Sequence, residues 1–221
     1  VKIVEPSAKL LWNTRNPEIE IEEAGRTCYK SEEDITATSA PEFIKMIIKR
    51  GHESVLEHAS ASFRIITDRG ITHEIVRHRL ASYSQESTRY CNYDSEKFGN
   101  EITVVKPSQL EAYPEHTDIH RTTEDWHKYQ AFCSWEEAIE KAEAVYLFLL
   151  DSGVSPQTAR SVLPTCLKTE IVMTCNFREW RHFLKLRTAK AAHPDIRIIA
   201  NSIQKQLNEI TSTVFPMETN K

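Results

Sequence analysis

The chain has 221 residues, 40% of them apolar and 27% charged, with a formal net charge of −4. This is the composition of a globular protein with enough residues for a sizeable core. No stretch approaches the roughly 20 apolar residues that cross a bilayer, so no membrane span is expected, and the acidic balance speaks against a broad surface for coating nucleic acid.

Five scattered cysteines without a CxxC pair predict neither a disulfide framework nor a zinc knuckle, and suggest a reducing cytoplasm. The opening VKIVEPSAKLLW lacks the apolar segment of a signal peptide, so none is expected.

In chain order, VKIV (1–4) reads as a short strand. SAPEFIKMIIKRG (39–51) is punctuated as a helix, with Ser39 as N-cap, Pro41 in the first turn, Phe43, Ile44, Ile47 and Ile48 on one face, and Gly51 as the stop. From His58 to Ile65 the chain alternates, placing Ala59, Ala61, Phe63 and Ile65 on one side, which predicts a half-buried strand. Gly70 breaks it, and ITHEIVRHRL (71–80) resumes helical spacing.

YPEHTDIHRTTEDWHK (113–128) has no period and is expected to be a surface loop. Trp126, Tyr129, Phe132, Trp135, Ile139, Ala142, Val145, Tyr146 and Leu149 then recur every three or four residues. They predict a long helix ended by Gly153, with a stripe suited to a core or a subunit interface. A short helix in SPQTARSVL (155–163), a strand in TEIVMTCN (169–176) and helices in FREWRHFLKLR (177–187) and HPDIRIIANSIQKQLNEI (193–210) complete the pattern. Helices and strands interleave without βαβ repetition, so the expected fold is α+β, one domain with a mixed sheet flanked by several long helices.

The densest chemistry lies in RHRLASYSQESTRY (77–90), with three arginines, a histidine and three serines. Its spacing suggests a helix end followed by a loop. Arginine's planar fork matches phosphate oxygens bidentately, and Ser82, Ser84, Ser87 and Thr88 suit a loop whose hydroxyls and N–H groups meet an anion. A solvated helix face with ion pairs such as Glu74 to Arg77 or His78 would look similar. No GxGxxG or GxxxxGK[ST] loop is present, so neither Rossmann nor P-loop binding applies.

RHR, seven residues, Ser, one residue, Arg resembles the signature of the flavin-dependent thymidylate synthases, carried here by Arg77, His78, Arg79, Ser87 and Arg89. GHESVLEH (51–58), ARSVLP (159–164) and NFREWRHFLKLR (176–187) are similar to further family segments in the expected order. The resemblance implies reductive methylation of dUMP to dTMP, with methylenetetrahydrofolate as carbon donor and FAD reduced by NADPH as hydride source. It also implies a cytoplasmic homotetramer with shared active sites, acting on small molecules and not on nucleic acid or membrane.

For the site it implies Arg187 as the catalytic contact to the uracil ring. Glu74, Arg77, Gln85, Glu86, Ser87, Thr88, Arg89 and Arg160 would bind dUMP. Ser54, Arg77, His78, Arg79, Gln85, Asn176, Arg178 and His182 would bind FAD, with His52 and Glu57 lining the folate and flavin region.

Taken without the resemblance, the same residues read more plainly. His52 and His58 lie too far apart for an HExxH zinc site, and no metal is expected. Ser87 has no evident base partner and suits phosphate binding better than nucleophilic attack. Arg160 could be a surface charge, and Arg187 a cation meeting a helix dipole. Some relatives of the family carry a flavin-contacting His where Ala191 aligns, with His193 nearby, and others carry Ser where Cys28 aligns, Gln where Glu74 aligns and Asn where His182 aligns. The competing function is a non-catalytic nucleotide or RNA binder using the same arginines as a phosphate cradle.

Overall fold

The computed structural model describes residues 1–91, 93–95, 99–110 and 123–217, the side chains of 123–125 excepted. Its elements are β1 (Lys2–Val4), β2 (Ser7–Asn13), α1 (Pro17–Tyr29), α2 (Ala40–Lys49), β3 (Ser60–Asp68), α3 (Arg69–Ile75), β4 (Ala81–Gln85), β5 (Thr103–Val105), α4 (Thr123–Asp151), α5 (Pro156–Ala159), β6 (Lys168–Asn176), α6 (Phe177–Arg187) and α7 (Pro194–Ile210). The α+β class is as expected. β1 pairs in parallel with β5, while β2 runs antiparallel to β3 in a four-stranded sheet ordered β2-β3-β6-β4.

Backbone packing divides the chain into two compact units. The first takes residues 1–6, 67–72 and 85–169; the second takes 7–66, 73–84 and 170 onward.

In the second unit, β3 buries Ala61, Phe63 and Ile65 and β6 buries Ile171, Met173 and Cys175, the alternation a half-buried strand demands. Trp180 of α6 meets Phe63 edge to face at 5.1 Å and Phe183 at 5.5 Å, and its indole N–H donates to the Ala61 carbonyl at 3.1 Å. This fixes α6 against the sheet, since a buried indole needs an acceptor. α1 lies close to α2 at Gly25, where a Cβ would fall 2.5 Å from the Phe43 ring, so only glycine permits the approach.

In the first unit the core gathers Ile102, Val104, Ile139, Tyr146, Ala159 and Leu167. The aromatic stripe of α4 is divided. Ile139 and Tyr146 are buried, Trp135 and Leu149 are partly buried, and Trp126 and Val145 remain exposed.

Four local expectations need correction. α4 begins at Thr123, inside the segment read as a loop, because the start of the helix carries no apolar periodicity to announce it; 111–122 lie outside the described residues. Ser39 stands at the N-cap of α2 as expected, but its side chain makes no cap bond, because its hydroxyl donates to Glu22 at 2.8 Å and accepts from the Thr36 N–H at 2.9 Å. His58 ends a 3-10 turn over Glu53–His58, and β3 starts only at Ser60. The loop expected after RHR contains a strand, β4.

Candidate active site

The RHR triplet begins where α3 gives out. Arg77 and His78 close the last turn by backbone bonds to Glu74 and Ile75, and Tyr83 of β4 pins that turn. Its hydroxyl lies 2.9 Å from the Ile75 carbonyl and 2.7 Å from that of His78. Both neighbours are acceptors, so the phenol is the donor. Burial raises its pKa above the ordinary 10.0, which keeps the proton in place.

The three members of the triplet part company here. Arg77 and Arg79 are exposed, without partners among the described residues, whereas His78 is buried beneath α6, 4.9 Å edge-on from the Phe183 ring.

His78 sits at the centre of a chain of four side chains. Arg187 Nε donates to His78 Nε2 at 3.1 Å, and His78 Nδ1 lies 3.0 Å from Glu179 Oε1. A guanidinium N–H can only donate, so Nε2 is the acceptor and the ring proton resides on Nδ1, directed at Glu179. At its other end Arg187 donates through Nη1 to the Glu74 carboxylate at 2.7 Å and through Nη2 to the Glu74 carbonyl at 3.0 Å.

These bonds engage three of the five guanidinium N–H groups. Two remain for a ligand among the described residues. Desolvation lowers the pKa of His78 from 6.5, the Glu179 hydrogen bond opposes this, and Arg187 reinforces it. The imidazole is therefore neutral.

His78, Glu179 and His182 have ligand atoms within 4.8 Å of one another, close enough for a cation. Both ring nitrogens of His78 are already bonded, however, so a metal would have to displace Arg187 or Glu179.

Beside this chain the second unit holds a cavity of about 970 Å³. Asn176, Arg178, His182 and Glu57 line it, as the resemblance implies for a flavin region, together with Arg181 and Lys185. Asn176 caps α6 by accepting from the Glu179 N–H at 2.9 Å, and Arg178 pairs with Glu57 at 2.6 Å. Leu184, Val214, Phe215 and Pro216 supply an apolar wall. Glu53 and Glu179 line it as well, with Glu53 and Glu57 paired to Arg181 and Arg178, so the lining is of mixed charge. Its volume and apolar wall suit a large aromatic ligand such as a flavin dinucleotide. Ser54, Arg77, His78 and Arg79 are not part of the lining. His52 is exposed, 2.6 Å from the Tyr29 hydroxyl.

The remaining expected residues form a separate cluster in the first unit. Gln85 donates to the Thr72 and Thr169 hydroxyls at 3.0 and 3.3 Å. The Glu86 carboxylate pairs with Lys168 at 3.0 Å, and the Glu86 carbonyl accepts from Arg69 at 3.4 Å. Arg160 donates to the Thr88 hydroxyl at 3.0 Å, and the Ser87 hydroxyl accepts from the Arg89 N–H at 3.3 Å. Arg89 and Arg160 are exposed. With Glu86 neutralised by Lys168, the surplus charge is positive, and the cluster can receive an anion.

Sequence reasoning missed Tyr83, Glu179, Lys168 and Arg69. Only Glu179 left a signal. In NFRE it stands at the third helical position after an Asn cap, a capping-box pattern, which marks it as structural and hides its reach to His78.

An acid–histidine–arginine–acid chain, buried at its Glu179–His78 end and lying beside a cavity of mixed charge, is an arrangement for chemistry on a small molecule, and the comparisons agree. The sequence model of the family described as thymidylate synthase complementing protein matches residues 9–213. The flavin-dependent thymidylate synthase of Geobacter sulfurreducens is 33% identical over 213 residues, 93% of this chain and 84% of that one. That of Mycobacterium tuberculosis (strain H37Ra) is 38% identical over 203 residues, 88% and 77% of the two chains. The crystal structure of a UMP/dUMP methylase, PolB from Streptomyces cacaoi, bound with 5-Br dUMP, has a TM-score of 0.78 at 25% identity, over 97% of this chain and 95% of that one. The chain belongs to the flavin-dependent thymidylate synthase family, and is an enzyme of that family.

Proposed function

We propose that the enzyme converts dUMP, methylenetetrahydrofolate, NADPH and a proton into dTMP, tetrahydrofolate and NADP⁺, using FAD. It would act as a cytoplasmic single-domain protomer in a homotetramer with shared active sites. The observation that carries the reading is Arg187, an always-charged group held from both ends with two N–H groups to spare. Such a group stabilises negative charge developing on a uracil ring without having to reorganise. Glu74 and His78 hold it in place, and no protein nucleophile is needed.

Arg89 and Arg160, with Ser87 and Thr88, would hold the nucleotide phosphate, Arg through paired N–H groups and the hydroxyls through rotatable donors. Gln85 and Glu86 would shape that cluster. Asn176, Arg178 and His182 would hold FAD, with Ser54, Arg77 and Arg79 as further cationic and polar contacts and His52 and Glu57 toward the folate. The chemistry that a bound flavin supplies is two-electron hydride transfer.

The non-catalytic nucleotide- or RNA-binding reading finds less support in a chain of net charge −4. An assay of dTMP from dUMP, methylenetetrahydrofolate and NADPH, with and without added FAD, tests the proposal. Product should form only with FAD, and a colourless protein that binds added FAD in no condition and makes no dTMP would refute it.

A further inference from the structure

Taking Arg187 as the group that acts on the uracil, a reading on which this inference rests, we propose that Glu179 is a positioning residue that aims Arg187 through the tautomer of His78. A neutral imidazole in water favours the proton on Nε2. In this protein that proton would point at Arg187 Nε–H, 3.1 Å away, setting donor against donor, and the guanidinium would have to swing away. The carboxylate 3.0 Å from Nδ1 reverses the preference by drawing the proton to itself. Nε2 is then bare and accepts from Arg187.

Glu179 is not spent on capping its own helix. Its backbone N–H is already capped by Asn176, and its carboxylate, which in a capping box would turn back to the N-cap, turns to His78 instead. Glu179 and His78 are both buried, at 6% and 4% exposure, so water cannot substitute for either partner. With Glu74 holding the Nη end and His78 the Nε end, the guanidinium plane is fixed. Without the second hold it pivots about Glu74.

The charged and titratable groups facing His78 are Glu179, His182 and Arg187 from α6, Glu74 of α3 through Arg187, and Tyr83 of β4 at its carbonyl. The Cys175 thiol of β6, next to Glu179, is kept neutral by burial. Protonating His78 would place a proton on Nε2 and break the contact with Arg187, so turnover should have an acid limb. The Glu179 hydrogen bond favours the imidazolium. Removing the carboxylate must therefore move that limb to lower pH while lowering the plateau. A variant that was merely loosened would lose activity at higher pH instead.

The test uses long-range ¹⁵N–¹H correlation spectra of full-length protein labelled with ¹⁵N-histidine, wild type, Glu179→Ala and Glu179→Gln, alongside kcat and KM for dUMP against pH. The wild type should show His78 protonated on Nδ1. In Glu179→Ala the proton should move to Nε2, with kcat at least tenfold lower, KM changed less than threefold and the acid limb displaced downward. Glu179→Gln, whose amide oxygen can still accept, should recover the tautomer and part of kcat.

A wild-type ring protonated on Nε2, or Glu179→Ala with the proton still on Nδ1 and kcat within twofold, would overturn the assignment. If the alanine variant does not fold, the glutamine variant decides, because an unmoved acid limb there is equally fatal. The tautomer is read without any reaction, so a wild type that makes no dTMP defeats the proposed function and leaves this result standing.

Discussion

Arg187 and the pair Arg89 and Arg160 are built on opposite plans. Arg187, in the second unit, has a side chain only 17% exposed and carboxylate, carbonyl and imidazole acceptors around it. Arg89 and Arg160, in the first unit, are exposed and lean on neutral groups, Gln157 at 3.5 Å and the Thr88 hydroxyl at 3.0 Å. A half-buried, over-determined cation is fixed before a ligand arrives, and less water competes with it. An exposed one is screened and can adjust as the ligand docks. The first plan suits stabilising charge that appears during reaction; the second suits capturing charge already present.

The largest expected effect breaks the first plan. Arg187→Ala should lower kcat by roughly a hundred- to a thousandfold, the scale seen when one preorganised electrostatic donor is lost, while flavin absorbance and dUMP affinity stay nearly unchanged. Single-turnover dTMP formation and titration with dUMP separate the two readouts. If dUMP affinity collapses and the rate at saturation does not, Arg187 captures ligand and the contrast with the first unit fails.

Next in size, Arg160→Ala and Arg89→Ala should weaken dUMP binding by about ten- to a hundredfold, corresponding to ~1.5–3 kcal/mol for a charge-assisted hydrogen bond. The loss should shrink as salt rises, because exposed charges are screened, and kcat at saturating dUMP should stay within a few fold. Calorimetric titration at two salt concentrations checks both statements. A salt-independent loss would mean that these arginines are desolvated on binding and belong with Arg187.

What could be read in advance follows the same division. Local pattern was legible. The alternation of β3, the apolar faces of α2, α6 and α7, and the stops at Gly51 and Gly153, both at positive φ, are written within a few residues of themselves. β4 was not, because Ala81, Ser82, Tyr83, Ser84 and Gln85 carry no aliphatic alternation, and the strand forms through its neighbour in the sheet. The candidate site residues at 77–89 and 187 could be named from the family resemblance, but their partners could not. Glu179 lies 101 residues from His78, and Glu74 lies 113 residues from Arg187. Nothing local announces a contact made by packing two distant elements together. The family pattern supplied Arg187, but only the fold shows what holds it.

The smallest expected effect reports on the burial that separates the two plans. In the folded protein His78 has a pKa below its ordinary 6.5, chiefly through desolvation, whereas in the unfolded chain it returns to about 6.5. Between those two values the unfolded chain holds a proton that the native protein lacks, so stability rises with pH across this window and is lost as pH falls below about 6.5. The slope from one such group cannot exceed about 1.4 kcal/mol per pH unit. Urea unfolding at closely spaced pH values between 7.5 and 5 should therefore give a steeper decline in wild type than in His78→Gln, which has no titrating ring. Parallel profiles would mean that His78 meets water as readily as Arg89 does. The guanidinium it holds would then be no more preorganised than the exposed pair.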